Sequence, residues 1–238
     1  RGRLKLLLIL SCGFAYKLEA SGISSGFYAG FGVGMERLNG KRSEWLETDP
    51  ASYDLQTFTH DKEMKKNGHL ANFFGGYLYR YKNFAIAGEA FYELGKVEDK
   101  IDREWTDKPT LLDFKGFYTA NLEKKNGFGL RMNIGGVFWE SRFIYALLGI
   151  HATQLRYTKT STYFDTGTPA TYQQQSTRRK LAYGLDYGVG IQQQLGQWRL
   201  AAEAYIRRMS TQVMTFNFAY GLTPEPIVHA TLKPTMIG

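Results

Sequence analysis

The feature that most constrains this chain is a strict alternation of large apolar residues with small or polar ones. In "LAYGLDYGVGIQQQ", residues 181–194, one set is glycine-rich around Asp186, and the other is Leu181, Tyr183, Leu185, Tyr187, Val189 and Ile191. Because successive side chains of a strand point to opposite faces, this period of two predicts a β-strand with one apolar face. The alternation alone does not say which of the two faces is buried.

The same alternation recurs clearly in four further segments: 26–35, 83–94, 128–138 and 198–208. It is less regular in 70–81 and in 143–157, which is apolar on both faces up to His151, and it breaks off in 227–238. Counting all of them, the sequence predicts eight strands. Segment 70–81 alternates in either register, and Asn72 favours Phe73, Tyr77 and Tyr79 as its apolar set.

The connections between these strands are alternately short and long. "RYKNF", "WESRF" and "LGQW" are predicted tight turns, whereas the polar segments 38–67, 97–127, 158–179 and 221–226 are predicted loops. Three turns on one side and four loops on the other indicate an antiparallel up-and-down meander. Loops of this length are uncommon in compact soluble domains but usual in outer-membrane barrels.

Composition excludes a helical membrane protein and leaves a strand-based one open. No apolar run approaches the roughly 20 residues of a spanning helix, and the mean hydropathy is −0.35. A spanning strand needs only about 9–11 residues, of which alternate ones are apolar. The formal net charge of +8 favours anionic partners. Because no basic helix or basic–aromatic motif is present, we do not expect nucleic acid among them.

The amino terminus has the order of a secretory signal. Three bases (Arg1, Arg3 and Lys5) precede the apolar run 6–10, and small residues follow up to Ala20. We therefore expect residues 1–20 to be a signal peptide and 21–238 to be a barrel domain. The alternative is a first core helix of a cytoplasmic protein. Cleavage near Ala20 would remove Cys12, the one cysteine of the chain.

Charged residues of the predicted strands fall on the faces opposite the apolar ones. The set is Glu89, Glu93, Arg131, Asp186, Arg199, Glu203 and Arg207. An eight-stranded barrel has an interior just wide enough for side chains to fill, and buried charges are tolerated when paired. We expect these residues to form an interior network in which Arg199 or Arg207 pairs with Asp186.

Four segments carry a resemblance to a known family: "GFYAGFGVG", "NFAIAGEAFYELG", "FIYALLGIHA" and "YGLDYGVGIQQQLGQWRLAAEAYIRR". The chain resembles the small outer-membrane β-barrel proteins of Gram-negative bacteria, the porin-like and opacity-type surface proteins. The resemblance implies an all-β, eight-stranded antiparallel up-and-down transmembrane barrel with short periplasmic turns and long extracellular loops. Such proteins usually end in an aromatic residue. This chain ends in "KPTMIG", so we expect a last strand truncated after Gly238.

Three functions are compatible with that fold. The first is a structural and interaction role, in which a monomeric barrel anchors adhesin-like loops for a host or matrix ligand. Aromatic residues of the predicted loops would supply contacts: Trp45, Phe58, Trp105, Phe114, Phe117 and Tyr118. The second is a narrow porin-like channel, which the small bore of eight strands disfavours.

The third and most distant function is modification of lipid A. The resemblance implies that such an enzyme carries His and Ser two residues apart, and here Thr153 and Thr231 follow His151 and His229 at that spacing. No sequence signal supplies the partner that general-base chemistry needs. Four scattered histidines give no metal-ligand spacing either. We expect no enzyme, no metal and no cofactor.

Basic residues cluster where the predicted loops meet the strands. They are Lys65, Lys66, Lys124, Lys125, Arg178, Arg179 and Lys180. Their shared side and sign favour contact with anionic lipopolysaccharide headgroups at the bacterial outer membrane.

Overall fold

A computed structural model describes residues 9–15, 22–47, 60–106, 114–165, 171–196, 198–217 and 227–237. These residues form ten strands of one antiparallel sheet. The strands are β1 (Ile9–Ala15), β2 (Gly26–Glu47), β3 (His60–Tyr81), β4 (Phe84–Thr106), β5 (Phe114–Phe138), β6 (Arg142–Asp165), β7 (Thr171–Leu195), β8 (Trp198–Met209), β9 (Gln212–Asn217) and β10 (Ile227–Ile237). In this part of the chain, no helix has the length and apolar character needed to cross a membrane.

The strands β2 to β8 follow one another in an up-and-down meander, each paired with the next. The predicted all-β antiparallel architecture is therefore confirmed. The three predicted tight turns join β3 to β4, β5 to β6 and β7 to β8. The last contains Gly196 at a φ of +61°, a left-handed conformation that glycine adopts without a steric penalty.

Two strands lie between β8 and β2 and connect the ends of the meander. The strand β10 pairs with β2 from Glu47 to Arg37 and with β8 near Arg207. Farther toward the tight turns, β1 pairs with the same two strands, with Leu10 opposite Val33. The pairings thus run continuously from β2 through β8 and back to β2. The strand β1 lies within the predicted signal peptide, whose cleavage stays a prediction.

The strands extend far into the segments predicted as long loops, and that prediction was wrong. The segments left between β2 and β3, β4 and β5, and β6 and β7 are only 48–59, 107–113 and 166–170. Phe58 lies outside the described residues, whereas five other predicted loop aromatics belong to strands: Trp45, Trp105, Phe114, Phe117 and Tyr118. The signal was weak because isolated apolar residues such as Leu38 and Val97 are separated by long polar side chains. We call the part of the sheet formed by these extensions the hairpin half.

The apolar face of the strands is the outer face. Tyr183, Leu185 and Val189 are about 60% exposed, whereas Asp186 between them is 4% exposed. Phe73, Tyr77 and Tyr79 are exposed on β3, in the favoured register. These outward apolar side chains on β2 to β8 form what we call the apolar band. Large aromatic residues lie at its turn end: Tyr79, Tyr81, Phe84, Phe138, Trp139 and Trp198.

The interior has three layers. At the turn end, Phe143 and Tyr145 stack with ring centroids 4.8 Å apart within an apolar turn-end cluster. In the hairpin half lies an apolar hairpin cluster: Leu38, Met64, Val97, Ala120, Leu122, Leu155, Tyr157, Ala182 and Met236. Between the two clusters lies a charged layer.

Candidate functional site: a buried charged layer and a basic girdle

Arg207 is the centre of the part of the charged layer that faces the hairpin half. Its guanidinium donates to both oxygens of Asp186, each at 2.9 Å, and to both oxygens of Glu93, at 2.5 and 2.8 Å. Asp186 is the direct pairing partner of Arg207 on the adjacent strand, whereas Glu93 reaches it across the interior from β4. All three side chains are buried. Bidentate contacts to two carboxylates use the planar donor geometry that is specific to arginine.

Lys124 extends this group toward β2. Its ammonium donates to the two oxygens of Glu36 at 2.7 and 2.6 Å and lies 3.4 Å from Glu93. On the other side, Nδ1 of His151 lies 2.7 Å from Oδ1 of Asp186. The acids and bases of this group therefore alternate across five strands, and His151 adds a contact from a sixth.

The position of Lys124 corrects one of the predicted lipopolysaccharide contacts. Its side chain is fully buried, so it cannot reach a lipid headgroup. The register of β5 shifts between Lys124 and Gly127, and the shift exchanges the faces to which odd and even residues point. Beyond Gly127 the odd residues of β5 point inward, and the same rule would place Lys124 on the outer face. Because of the shift, Lys124 points inward instead.

Arg131 is the centre of the part that faces the tight turns. Its guanidinium pairs with Glu89 on β4 and donates to Glu203 across the interior at 2.9 Å. Two tyrosines complete the carboxylate hydrogen bonds: Tyr28 donates to Glu89 and Tyr145 to Glu203, both at 2.6 Å. Asn133 also donates to the Glu89 oxygen that accepts from Tyr28, at 3.2 Å, so the buried carboxylates have neutral donors beside their ion pairs.

The ring of Phe91 lies between the two groups. The guanidinium carbon of Arg131 is 5.7 Å from its centroid and that of Arg207 is 5.9 Å from it. Both distances are within the range of a cation–π interaction. The aromatic ring therefore fills the space between two like charges.

Arg199 lies apart from Asp186. It donates to Gln194 at 2.9 Å and to the carbonyl of Ser24 at 3.3 Å, and it lies 5.1 Å from the ring centroid of Tyr28. Of the two candidate partners, Arg207 is therefore the one that contacts Asp186. The structure brings six of the seven proposed network residues into direct ion pairs: Glu89, Glu93, Arg131, Asp186, Glu203 and Arg207.

Several members of the layer were missed by sequence reasoning. Glu36 stands on the same face of β2 as Tyr28, one residue beyond the predicted strand 26–35. Lys124 falls in the predicted loop 97–127, and the predicted network does not include the two tyrosines. Extending the alternation of β2 by one residue would have found Glu36.

Each acid of the charged layer has a basic partner. Among the described residues, no group of three or more histidine, cysteine or acidic side chains could hold a metal ion. His151 and Thr153, the pair considered for lipid A chemistry, are buried on the inner side. The side chains of His229 and Thr231 lie outside those that the structure describes.

A ring of bases marks the far edge of the apolar band. On each strand from β2 to β8, the outer face is apolar near the tight turns and becomes charged farther away. The first lysine, arginine, aspartate or glutamate beyond the apolar band is in every case a lysine or an arginine. We call this set the basic girdle: Arg37, Lys65, Lys96, Lys125, Arg156, Arg179 and Arg208. It contains Lys65, Lys125 and Arg179 of the predicted headgroup contacts. Three others are exposed beside it: Lys66, Arg178 and Lys180.

Beyond the girdle, acids and bases alternate on the outer face of the hairpin half. Lys96 contacts Glu98 at 3.0 Å, and this hydrogen bond lowers the pKa of the Glu98 carboxyl. Thr119 donates to Asp102 at 2.7 Å and likewise lowers the pKa of Asp102. This surface is therefore charged and hydrated, unlike the apolar band below it.

No family model and no curated protein matches the chain. Solved structures do match, among them two of Ail, the attachment invasion locus protein of Yersinia pestis. The first is 12% identical with a TM-score of 0.21, and covers 86% of this chain and 97% of Ail. The second, in complex with the heparin analogue sucrose octasulfate, is 10% identical with a TM-score of 0.25, and covers 90% and 99%.

At this identity and TM-score, the two Ail structures do not bear on what this chain binds. The features that do bear on its class are its own: a meander whose ends are joined, an apolar outer face and a charged interior. This all-β architecture is consistent with the small outer-membrane β-barrel family that the strand sequences resemble.

Proposed function

We propose that this chain is an outer-membrane β-barrel protein that anchors binding hairpins at the surface of a Gram-negative bacterium. The observation that carries the proposal is the change of the outer face at the girdle, from apolar to charged. On β4 the apolar band runs from Phe84 to Leu94, ten residues apart. At about 3.3 Å per residue and a tilt of about 40°, this stretch spans roughly 25 Å, the height of the apolar band of outer-membrane barrels.

The proposed barrel has eight strand positions across the membrane. Seven are β2 to β8, and the eighth lies between β8 and β2, where β10 and β1 pair. Closure supports a membrane location because lipid offers no hydrogen-bond partner to an open sheet edge. Export would depend on residues 1–20 as the signal peptide, and residues 21–238 would form the barrel domain. Cleavage would remove β1, so in the mature barrel β10 would join β2 to β8 in the hairpin half. The stretches of β2 and β8 that β1 covers would then need another partner strand. The chain would act as a monomer.

A plugged barrel explains the interior better than a conducting pore does. Arg131 pairs with Glu203 on β8 and Arg207 pairs with Glu93 on β4, so ion pairs bridge the interior rather than line a channel. Apolar clusters lie on both sides of this layer. An ion would have to break buried pairs and cross two apolar layers to pass.

The hairpin half would lie outside the cell. Outer-membrane barrels place short turns in the periplasm and long connections outside. The basic girdle would then lie at the level of lipopolysaccharide phosphates, where charge complementarity favours contact. The polar hairpins above it would carry the adhesin-like role toward a host or matrix ligand.

Refolding into lipid vesicles followed by electrophoresis with and without boiling tests the membrane barrel. We expect the unboiled protein to migrate differently from the boiled one, because a closed barrel resists detergent unfolding. Equal migration, together with failure to float with the vesicles, would reject the proposal.

Planar-bilayer recording then separates the anchor from the porin-like alternative. We expect no unit conductance from the folded protein. Reproducible single-channel steps from protein that passes the electrophoresis test would reject the plugged interior while leaving the membrane barrel in place.

A further inference from the structure

Part of the basic girdle is gathered around one carboxylate. On the outer side of β5, Glu123 lies 2.6 Å from the ammonium of Lys125, 3.8 Å from Arg156 and 3.9 Å from Lys96. Arg179 stands directly opposite Arg156 in the pairing of β6 with β7. Three bases therefore meet one central acid, and a fourth base, Arg179, stands beside Arg156. Glu98 pairs with Lys96 and offsets one more charge, so the cluster keeps an excess of positive charge.

The cluster has donor capacity to spare. The Nε atom of Arg156 is buried without a hydrogen-bond partner among the residues that the structure describes. The side chains of Lys125 and Arg156 are each 33% exposed, so both can be reached from outside. An anion with several oxygens could accept from the exposed parts of the Lys125 and Arg156 side chains and would offset the excess charge.

An apolar groove lies on the same three strands below the cluster. It has a volume of about 570 Å³ and is lined on its outer side by Leu130, Met132, Leu148, Ile150, Leu185 and Tyr187. From Ile150 to Arg156 there are six residues along β6. At about 3.3 Å per residue and a tilt of about 40°, they cover roughly 15 Å, which is half the hydrocarbon thickness of a bilayer.

A trough connects the groove to the cluster. Ala152 continues the outer row of Leu148 and Ile150 on β6, and the pairing sets Phe128 on one side of it and Tyr183 on the other. The two rings are 54% and 61% exposed, whereas Ala152 is 4% exposed. Ala152 is therefore the floor of the trough, and the rings of Phe128 and Tyr183 are its two walls.

We infer that this surface of β5, β6 and β7 is a binding site for one phosphorylated, acylated glycolipid of the lipid A type. A phosphate binds Lys125, Arg156 and Arg179, and one acyl chain lies over Ala152 and in the groove. Glu123 is a positioning residue that holds the lysine and arginine side chains together. The inference rests on the proposed function, because the hairpin half must face the outer leaflet for lipid A, rather than a phospholipid, to be the occupant.

Native mass spectrometry of the detergent-solubilised full chain tests the site, with bisphosphorylated lipid A, monophosphorylated lipid A and phosphatidylglycerol as probes. We expect retention in that order. The double variant K125Q/R156Q should bind bisphosphorylated lipid A at least about tenfold more weakly, because charge-assisted hydrogen bonds are lost. Ala152→Phe should weaken all three lipids by filling the trough, and should leave unchanged any retention of inorganic phosphate.

Lys65→Gln is the matched control, because Lys65 belongs to the girdle on β3 and contacts Glu63, away from the cluster and the groove. Unchanged lipid A retention in K125Q/R156Q, or an equal loss in K65Q, would overturn the site. Phosphatidylglycerol retained as tightly as lipid A would overturn the choice of occupant. Each sample is first run boiled and unboiled, so a loss of the folded form is recognised as a failure of the barrel and not of the site.

Discussion

The two halves of the sheet are built with opposite polarity from the same strands. Below the girdle, Leu130 and Leu148 point outward while Arg131 and Glu89 are buried. Above the girdle, Leu122 and the rest of the hairpin cluster are buried, while residues such as Glu98 are on the outer face. The hairpin half thus has an apolar interior and a charged exterior, like a soluble protein. The other half is inverted, with an apolar exterior and a charged interior.

The inversion indicates that the medium around the sheet changes at the girdle. The hydrophobic effect favours apolar burial only where water is the alternative. Against hydrocarbon, an outward leucine costs nothing, and the interior is free to hold charges provided that they are paired. The charged layer therefore lies where the outer face is apolar, and the hairpin cluster where it is charged.

Removing the central charge of the inverted half has the largest expected effect. Arg207→Met leaves Glu93 and Asp186 buried without their main partner, so we expect the free energy of unfolding to fall by about 3–5 kcal/mol. Urea titration of the protein in lipid vesicles measures it. Arg208→Met changes the adjacent, exposed arginine and should be nearly neutral. Equal effects of the two variants would contradict the paired interior.

A charge on the outer face should report the surrounding medium directly. Leu148→Arg places a cation in the apolar band, and we expect a cost of about 2–4 kcal/mol near the bilayer midplane. Thr160→Arg places an arginine on the outer face of the same strand, but above the girdle. There we expect the free energy of unfolding to change by no more than about 0.5 kcal/mol, as for an ordinary surface substitution. The same titration compares them. A neutral Leu148→Arg would remove the distinction between the two halves.

The smallest expected effect is a pH dependence confined to the hairpin half. The hydrogen bond from Thr119 lowers the pKa of Asp102, so its stabilisation is present above the unfolded-state pKa and is lost as pH falls through the lower folded value. The protection factors of amides of β4 and β5 in the hairpin half, taken relative to the intrinsic exchange rate at each pH, should therefore fall in acid. Thr119→Val should weaken that fall, and an unchanged pH profile in this variant would assign it to other groups.

Much of the inverted half could be predicted from sequence. The alternation in 181–194 located the apolar and charged faces, and the tight turns defined the order of the strands. The seven proposed network residues all lie on the buried side. These predictions succeeded because large and small or polar side chains alternate clearly in most strands of the apolar band, as in 181–194.

The hairpin half could not be predicted in the same way. Its inward residues, such as Leu38 and Val97, are single apolar positions among polar ones and resemble a loop in composition. Between Lys124 and Gly127 the pairing register shifts, so odd and even residues exchange the inner and outer faces. The sequence "EKKNG" alone does not predict this shift.

The sequence by itself determined the antiparallel meander, its turns and the polarity of its two faces, because a period of two is a local property of the chain. Only the tertiary structure decided which charges meet. Arg207 contacts Glu93, which lies on β4, and Arg131 contacts Glu203, which lies on β8. Both pairs cross the interior, and the width of the interior is fixed when the two ends of the meander are joined. Pairing across that interior depends on the stagger of strands far apart in sequence, and no single strand contains that information.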